Sequence, residues 1–348
     1  MNIVEQIMQY AIKNKASDIH LTEGIVPTIR INGVLQKASN KVIITRADIE
    51  SLITKYSPDL MDTLTKKNYL DSSFSFLDTR FRANFFIQRK KLAVALRLIP
   101  SKIPKMESLN LPEAIAGILK LKNGLVLVTG ATGSGKSTTI ASIINEINLT
   151  KAEHILTIED PVEFIYQDQQ SLIHQREIGS DCDSFQDAIM CALREDPDII
   201  VLGEIRTHES ISSALTLAET GHLVFATLHT KSAAESIDRI IDVFPPDQQS
   251  QIRVQLANTL KYVVAQRLVP TLDKKGRLPL IELMVVNQAI SAAIINKAPM
   301  GTIKDQIQMN NKQLGSQTFS QCAKSFVERR LVSLESVVEL IDSNPLDK

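Results

Sequence analysis

The sequence has no surplus of charge. Thirty-nine Lys and Arg residues balance 39 Asp and Glu, for a formal net charge of zero. A general-purpose nucleic-acid binder carries a basic excess, and the chain also lacks an aromatic-basic stripe, so no nucleic-acid partner is expected. Cysteine is scarce. Cys182, Cys191 and Cys322 are odd in number, scattered and free of any CxxC pair. That excludes a zinc clamp and a disulfide framework, and it suits a reducing cytoplasm. No apolar stretch reaches 18 residues, and no basic segment followed by an apolar one opens the chain. A soluble protein is therefore expected, able to dock on a membrane complex but not to span the bilayer. Internal repeats and low-complexity tracts are lacking too.

What is there is ordinary globular composition, 44% hydrophobic and 22% charged, in 348 residues that suffice for two domains and a helical appendage. Ile3, Val4, Ile7, Met8, Ala11 and Ile12 fall at helical spacing. "SDIHL" and "PTIRINGVLQ" read as strands around the turn Glu23-Gly24. In "RFRANFFI", Phe81, Ala83, Phe85 and Ile87 alternate with Arg82 and Asn84, with Arg80 preceding on the polar face, and "QRKK" turns the chain into "LAVALRLI". A small α+β domain is expected over 1–99. The stretch 100–112, with three prolines and little periodicity, reads as a linker.

From 113 the pattern changes. "GLVLVTG", "HILTIEDP", "DIIVLGE" and "LVFATLHT" are short apolar runs separated by helical segments. Continuous apolar strands alternating with helices predict a parallel sheet buried on both faces, an α/β core over 113–285. Beyond 286 the pattern is helical.

Gly130-Ala131-Thr132-Gly133-Ser134-Gly135-Lys136-Ser137 satisfies GxxxxGK[ST] between a predicted strand and a predicted helix, with Thr138 next. Glycines let backbone N–H groups turn inward around a phosphate, and the helix adds its positive N-terminal end. Lys136 is expected to bridge the β- and γ-phosphates of ATP, and Ser137 to hold Mg²⁺.

In an open parallel sheet, ligands gather at the carboxyl ends of the strands. Those ends carry Glu159 and Asp160, with Glu163 behind; Glu204, with Arg206 following; and His229. Gly203 stands where a common Walker B strand ends in aspartate, so the carboxylate function falls on Glu204. It would order the Mg²⁺ water shell or polarise the attacking water. Glu163 is the other candidate base, and the division between the two stays open. Glu159 and Asp160 read equally well as solvated loop charges. His229 could sense the γ-phosphate. His222 lies seven residues away at the opposite strand end, roughly 23 Å at ~3.3 Å per residue. The two cannot share a metal, and His222 reads as a subunit or domain contact or as a structural histidine. His20 reads as structural. Arg80, Arg82 and Arg97 are candidates for a phosphate-neutralising arginine supplied from another domain or subunit.

"GATGSGKST", "ILTIEDPVEF", "ALREDPDIIVLGEIR" and "ETGHLVFATLHT" resemble, in order and interval, the Walker A, Asp, Walker B and His boxes of secretion ATPases. "QREIG", "DRIIDVFPPDQQ", "SDIHL" and "RFRANFF" extend the resemblance over about residues 1–285. The short N-terminal domain and the lack of a four-cysteine insertion are similar to the type IV pilus retraction ATPases of the PilT/PilU twitching-motility type. The resemblance implies a PAS-like N-terminal domain, a RecA-like core and a homohexameric ring at the cytoplasmic face of an inner-membrane platform protein. It implies that Glu163 is the catalytic glutamate of the Asp box, Glu204 that of Walker B, and His222 and His229 the His box; it also makes Arg82 and Arg97 candidates to act in trans. One stretch departs. "AISAAIINK" (289–297) stands where retraction ATPases carry an "AIRNLIRE"-like segment, and its arginines and acidic residue are missing. An accessory ring subunit dependent on a partner motor, possible beside a second retraction ATPase, and an assembly ATPase are the alternatives; a nucleic-acid translocase is disfavoured by the charge balance.

Overall fold

Asn2 and Glu5 start the first helix reciprocally: the Asn2 side chain accepts from the Glu5 N–H, and the Glu5 carboxylate accepts from the Asn2 N–H. The computed structural model describes residues 1–341 apart from 32, 40, 59, 60, 100 and 101. Its contacts divide into two units: Met1–Lys102 with Pro161–Ile165, and Ile103–Asp160 with Tyr166 onward. Pro100 and Ser101 of the predicted linker lie outside the described residues.

In the first unit, α1 (Ile3–Lys13) precedes β1 (Asp18–Thr22), β2 (Thr28–Ile31) and β3 (Val34–Lys37). Helices α2 (Arg46–Tyr56) and α3 (Met61–Lys67) follow, then β4 (Tyr69–Phe76), β5 (Thr79–Gln88) and β6 (Lys91–Ile99). The strands form one antiparallel sheet in the order β3-β2-β1-β6-β5-β4. Alternation decides its faces. Ile19, Leu21, Phe81, Ala83, Phe85, Val94 and Leu96 are buried with α1 and α2 residues such as Met8 and Leu52. Arg89 and Lys90, both at positive φ, make the two-residue turn between β5 and β6 that "QRKK" predicts.

The opposite face carries a charged row. Arg30, Asp18, Arg97, Arg82 and Ser73 are successive cross-strand partners on β2, β1, β6, β5 and β4. Arg97 Nε donates to Asp18 at 3.0 Å, and Arg30 lies 3.8 Å away on the other carboxylate oxygen. Arg80 donates to Ser73.

The second unit opens its sheet with β7 (Gly124–Thr129), then α4 (Lys136–Thr150), β8 (His154–Glu159) and β9 (Leu172–Glu177). It continues through α5 (Phe185–Ala192), β10 (Ile199–Leu202), α6 (His208–Glu219), β11 (Leu223–Leu228), α7 (Ala233–Asp242) and α8 (Gln249–Thr259). An antiparallel pair, β12 (Leu260–Pro270) and β13 (Arg277–Val285), completes a seven-stranded sheet ordered β13-β12-β7-β11-β10-β8-β9. All neighbours but β12 and β13 run parallel. Helices α9 (Gln288–Ile295), α10 (Met300–Met309), α11 (Asn311–Leu314) and α12 (Phe319–Glu328) make the expected helical C-terminal region.

Both sheet faces are covered, which is why these strands read as unbroken apolar runs. Leu125, Leu127, Leu156, Ile200 and Ala226 pack with Ile189, Ile211, Leu215 and Ile237 from α5, α6 and α7. Val126, Val128, Ile155, Val201 and Phe225 pack with Ile140, Ile143, Ile144 and Ile147 of α4. Among the described residues, no helix is long and apolar enough to cross a membrane.

Phe225 is fully buried in the middle of β11. Phe225→Ala should lower the unfolding free energy of this unit by about 3–5 kcal/mol. The check is the shift in urea midpoint followed by far-ultraviolet circular dichroism.

Candidate functional site

The parallel strands deliver their last residues to one edge. β7 is separated from β10 by β11 alone, so the ends of β7 and β10 stand two strand spacings apart, about 10 Å. Gly130 N–H donates to Leu228 O at 3.2 Å, and Ile205 N–H to Thr227 O at 3.1 Å, so the loop and the Glu204 segment are both laced to the end of β11.

Residues 130–135 form the loop between β7 and α4, with Gly130, Gly133 and Gly135 at positive φ. A Cβ on Gly130 would come within 2.3 Å of the Gln266 carbonyl, and one on Gly135 within 2.7 Å of Gln266 Nε2. Glycine is required at both for steric as well as conformational reasons. Ala131, Thr132 and Gly133 are exposed, while Gly135, Lys136, Ser137 and Thr138 are half-buried at the start of α4. Lys136 Nζ donates to the Gly130 and Ala131 carbonyls at 2.8 and 3.2 Å. The Oγ atoms of Thr129 and Ser134 are buried without a hydrogen-bond partner. Buried orphan hydroxyls carry a desolvation cost, and two of them sit at this loop. A glycine-lined turn with an ammonium and hydroxyls at a helix N-terminus is a donor set that fits a polyphosphate and, through Ser137, its divalent cation.

Glu204 follows β10. Gly203 precedes it where a Cβ would lie 3.2 Å from Ile158 O and 3.3 Å from Glu159 Cα, so the strand end is pressed against β8 where an aspartate would crowd. Arg206 grips both Glu204 oxygens, Nε on Oε1 and Nη2 on Oε2, the latter at 2.6 Å. His229 Nε2 lies 2.9 Å from Oε1. A carboxylate only accepts, so Nε2 carries the proton in this contact. Burial pushes the Glu204 carboxyl up, but the bonds from Arg206 and His229 outweigh it and hold the group below its ordinary value. The structure thus joins Glu204 and His229, two residues selected independently from their strand ends.

The other candidates are placed differently. Glu159 Oε1 accepts from Thr157 at 2.8 Å and Gln175 at 3.3 Å. Glu163 lies in Pro161–Ile165, which clusters with the first unit, and Arg82 and Arg97 sit in that unit's charged row. His222 Nδ1 lies 3.1 Å from Leu217 O and 3.2 Å from Thr220 Oγ1 at the end of α6. A cavity of about 420 Å³, lined by Arg267, Glu282, Lys304 and Phe319 among others, is built from different residues and contains none of the phosphate loop.

Sequence reasoning passed over Gln266. It is 2% exposed on β12, and its side chain bonds Ser134 and Thr139. A faint signal exists: one uncharged polar residue interrupts the apolar run "YVVAQRLV".

The sequence profile of the family described as "Type II/IV secretion system protein" matches residues 1–338. The type IV pilus "retractation" ATPase PilT of Pseudomonas aeruginosa is 40% identical over 342 residues, covering 97% of each chain. The type IV pilus ATPase PilU of the same organism is 35% identical, covering 97% of this chain and 88% of its own. A crystal structure of the pilus retraction motor PilT with bound ADP superposes with a TM-score of 0.90 at 41% identity, covering 99% of this chain and 98% of that one.

The Glu204 ion pair makes a stability prediction. A carboxyl held below its ordinary value contributes stability above the unfolded-chain pKa and loses it as pH falls through the folded one. Arg206 is 71% exposed, so solvent screens the pair. Glu204→Gln should cost less than about 1 kcal/mol of unfolding free energy at neutral pH, and that cost should shrink as pH falls below about 4.5. Urea titrations across that range provide the measurement.

Proposed function

We propose, for a chain that belongs to the type II/IV secretion ATPase family, that it is the ATP-hydrolysing motor of type IV pilus retraction, of the PilT/PilU twitching-motility type. The observation that carries the reading is the phosphate loop two strands from an ionised Glu204, on a backbone that follows an ADP-bound retraction motor over nearly its whole length.

In this reading the N–H groups of residues 130–138 and the Lys136 ammonium hold the β- and γ-phosphates of ATP, and Lys136 must leave the Gly130 and Ala131 carbonyls to do so. Ser137 and, through water, Glu204 would hold Mg²⁺, which when bound would neutralise charge on the phosphate oxygens. Glu163 and Glu204 share the tasks of polarising the attacking water and ordering the metal's water shell. His229 reports the state of the γ-phosphate to Glu204, which it already contacts. Arg82 and Arg97 act on the phosphates of a neighbouring subunit, supported by their place in an exposed row with only one carboxylate.

The assembly is a homohexameric ring at the cytoplasmic face of the inner membrane, working on a platform protein, with domains at 1–99, 113–285 and 286–348 and the linker 100–112 between the first two. An accessory subunit beside a second retraction ATPase is the one alternative with its own observation. The outward positions of α9, Ala289, Ala292 and Ile295, are exposed and uncharged.

Purified protein should release phosphate from ATP in a Mg²⁺-dependent manner. Lys136→Ala should abolish nucleotide binding, whereas Glu204→Gln should keep binding and lose at least about 100-fold in turnover. Full activity in Glu204→Gln would refute its role. In cells, retraction that survives Glu204→Gln but not deletion of the gene would favour the accessory subunit.

A further inference from the structure

We propose that Gln266 is the positioning residue of the phosphate loop: it orients the Ser134–Gly135 peptide so that the Gly135 N–H is aimed at the bound phosphates. The inference deepens the nucleotide-binding reading above and rests on it.

The register brings Gln266 to the loop. Ala265 on β12 pairs with Thr129, the last residue of β7, so Gln266 comes level with Gly130. Its Nε2 donates to the Ser134 carbonyl at 2.7 Å, and its Oε1 accepts from the Thr139 hydroxyl at 2.8 Å. A carbonyl can only accept, so the nitrogen must face Ser134, and the orientation of the amide is forced. Gln266, Ser134 and Thr139 are all buried, at 2%, 6% and 1% exposure. One side chain therefore ties the loop and the first turns of α4 to the sheet.

The consequence follows from peptide geometry. In a planar trans peptide, C=O and N–H point in opposite directions. Drawing the Ser134 carbonyl onto Gln266 turns the Gly135 N–H away from β12. Left alone, a loop with glycines at 133 and 135 can flip that peptide at little steric cost. An inverted peptide would present a carbonyl oxygen where a phosphate needs a donor. The glycine at 135 belongs to the same arrangement, since a Cβ there would lie 2.7 Å from the Gln266 amide nitrogen. Part of the motif's glycine content is set by this residue and part by the phosphate.

Binding of a fluorescent ADP analogue with Mg²⁺, and steady-state ATP turnover, test this on the full chain. Gln266→Leu removes both bonds and strands the Ser134 carbonyl; its Kd should rise about 10- to 100-fold, with KM raised and kcat within about threefold of wild type. Thr139→Val frees only the anchor and should weaken binding about fivefold. Added to Gln266→Leu it should do nothing more, because the two act as a unit. In Gln266→Glu, the introduced carboxyl repels the Ser134 carbonyl when ionised and can donate to it when protonated. Its affinity relative to wild type should recover as pH falls from 8 to 5, a response that mere loss of packing does not produce. Wild-type affinity, within twofold, in Gln266→Leu overturns the proposal, as does a flat pH ratio in Gln266→Glu. If Gln266→Leu does not fold, unchanged affinity in Thr139→Val overturns it. Failure of the wild-type protein itself to bind the analogue refutes the nucleotide reading instead.

Discussion

Six strands running in one direction, β12, β7, β11, β10, β8 and β9, are the constraint from which the rest of the second unit follows. Parallel neighbours cannot be joined by hairpins, so each connection crosses a face as helix or long loop and buries it. Burial on both sides forces residues such as Val126 and Leu127 to be apolar regardless of which way they point. It also leaves the polar chemistry one place to go, the edge where the strands end. Gly130 and His229 occur there as the first residues beyond β7 and β11, and Glu204 as the second beyond β10. Gln266 is an exception, a polar side chain buried inside a strand, and it is tolerated because both ends of its amide are bonded.

Two kinds of charge organisation follow from the two kinds of sheet. The antiparallel sheet of the first unit exposes one face, so its charges can lie in a row, with Asp18 between Arg30 and Arg97. Burial pushes the Asp18 carboxyl up, and bonds from Ser17 and Arg97 more than offset it. In the second unit the central strands β7, β8, β10 and β11 are covered on both faces, and Glu204 stays ionised through partners supplied by neighbouring loops, Arg206 and His229. Both partners can be exchanged for other groups because they are on loops and partly exposed. A carboxylate locked into the sheet would not be free to change partners when a phosphate arrives.

This difference explains what could be read from the sequence. Strands β7, β8, β10 and β11 were legible because double burial writes them as short apolar runs bounded by turns. β9 was not: it is an edge strand of mostly polar residues, "LIHQRE", with only Glu177 buried. The β12–β13 pair escaped because its carboxyl half mixes Gln266 and Arg267 into the apolar pattern. At the site, the phosphate loop was legible because glycine and lysine have local reasons to be there, and Glu204 because the strand-end rule points to it. The bonds of Gln266 reach back 127 and 132 positions. No periodicity encodes such a contact; it exists only once β12 is laid beside β7. The meeting of His229 with Glu204 was hidden for the same reason, although each residue was found separately.

The stretch 289–297, whose one charged residue is Lys297 at its end, shows how the fold separates what it requires from what it permits. Ile290 and Ile294 are buried and hold α9 against the body of the unit, and Asn287 caps it by accepting from the Ile290 N–H. Those residues suffice to make the helix. The outward positions do not touch the core: Ala289 and Ala292 are exposed, and Ile295 is 42% exposed. Arginine or glutamate there would meet only solvent and would favour the helix as well as alanine does, within a few tenths of a kcal/mol. Packing therefore gives no reason for this face to be neutral. Its chemistry is free to be set by whatever the helix meets outside the unit, and a partner that needs charges at this position would be met poorly. The glycine loop after β7 carries no such ambiguity, since its glycines, Gln266 and the parallel sheet all constrain one another. Within this one unit, the geometry of the glycine loop is specified by the fold, while the outward face of α9 is left to contacts beyond it.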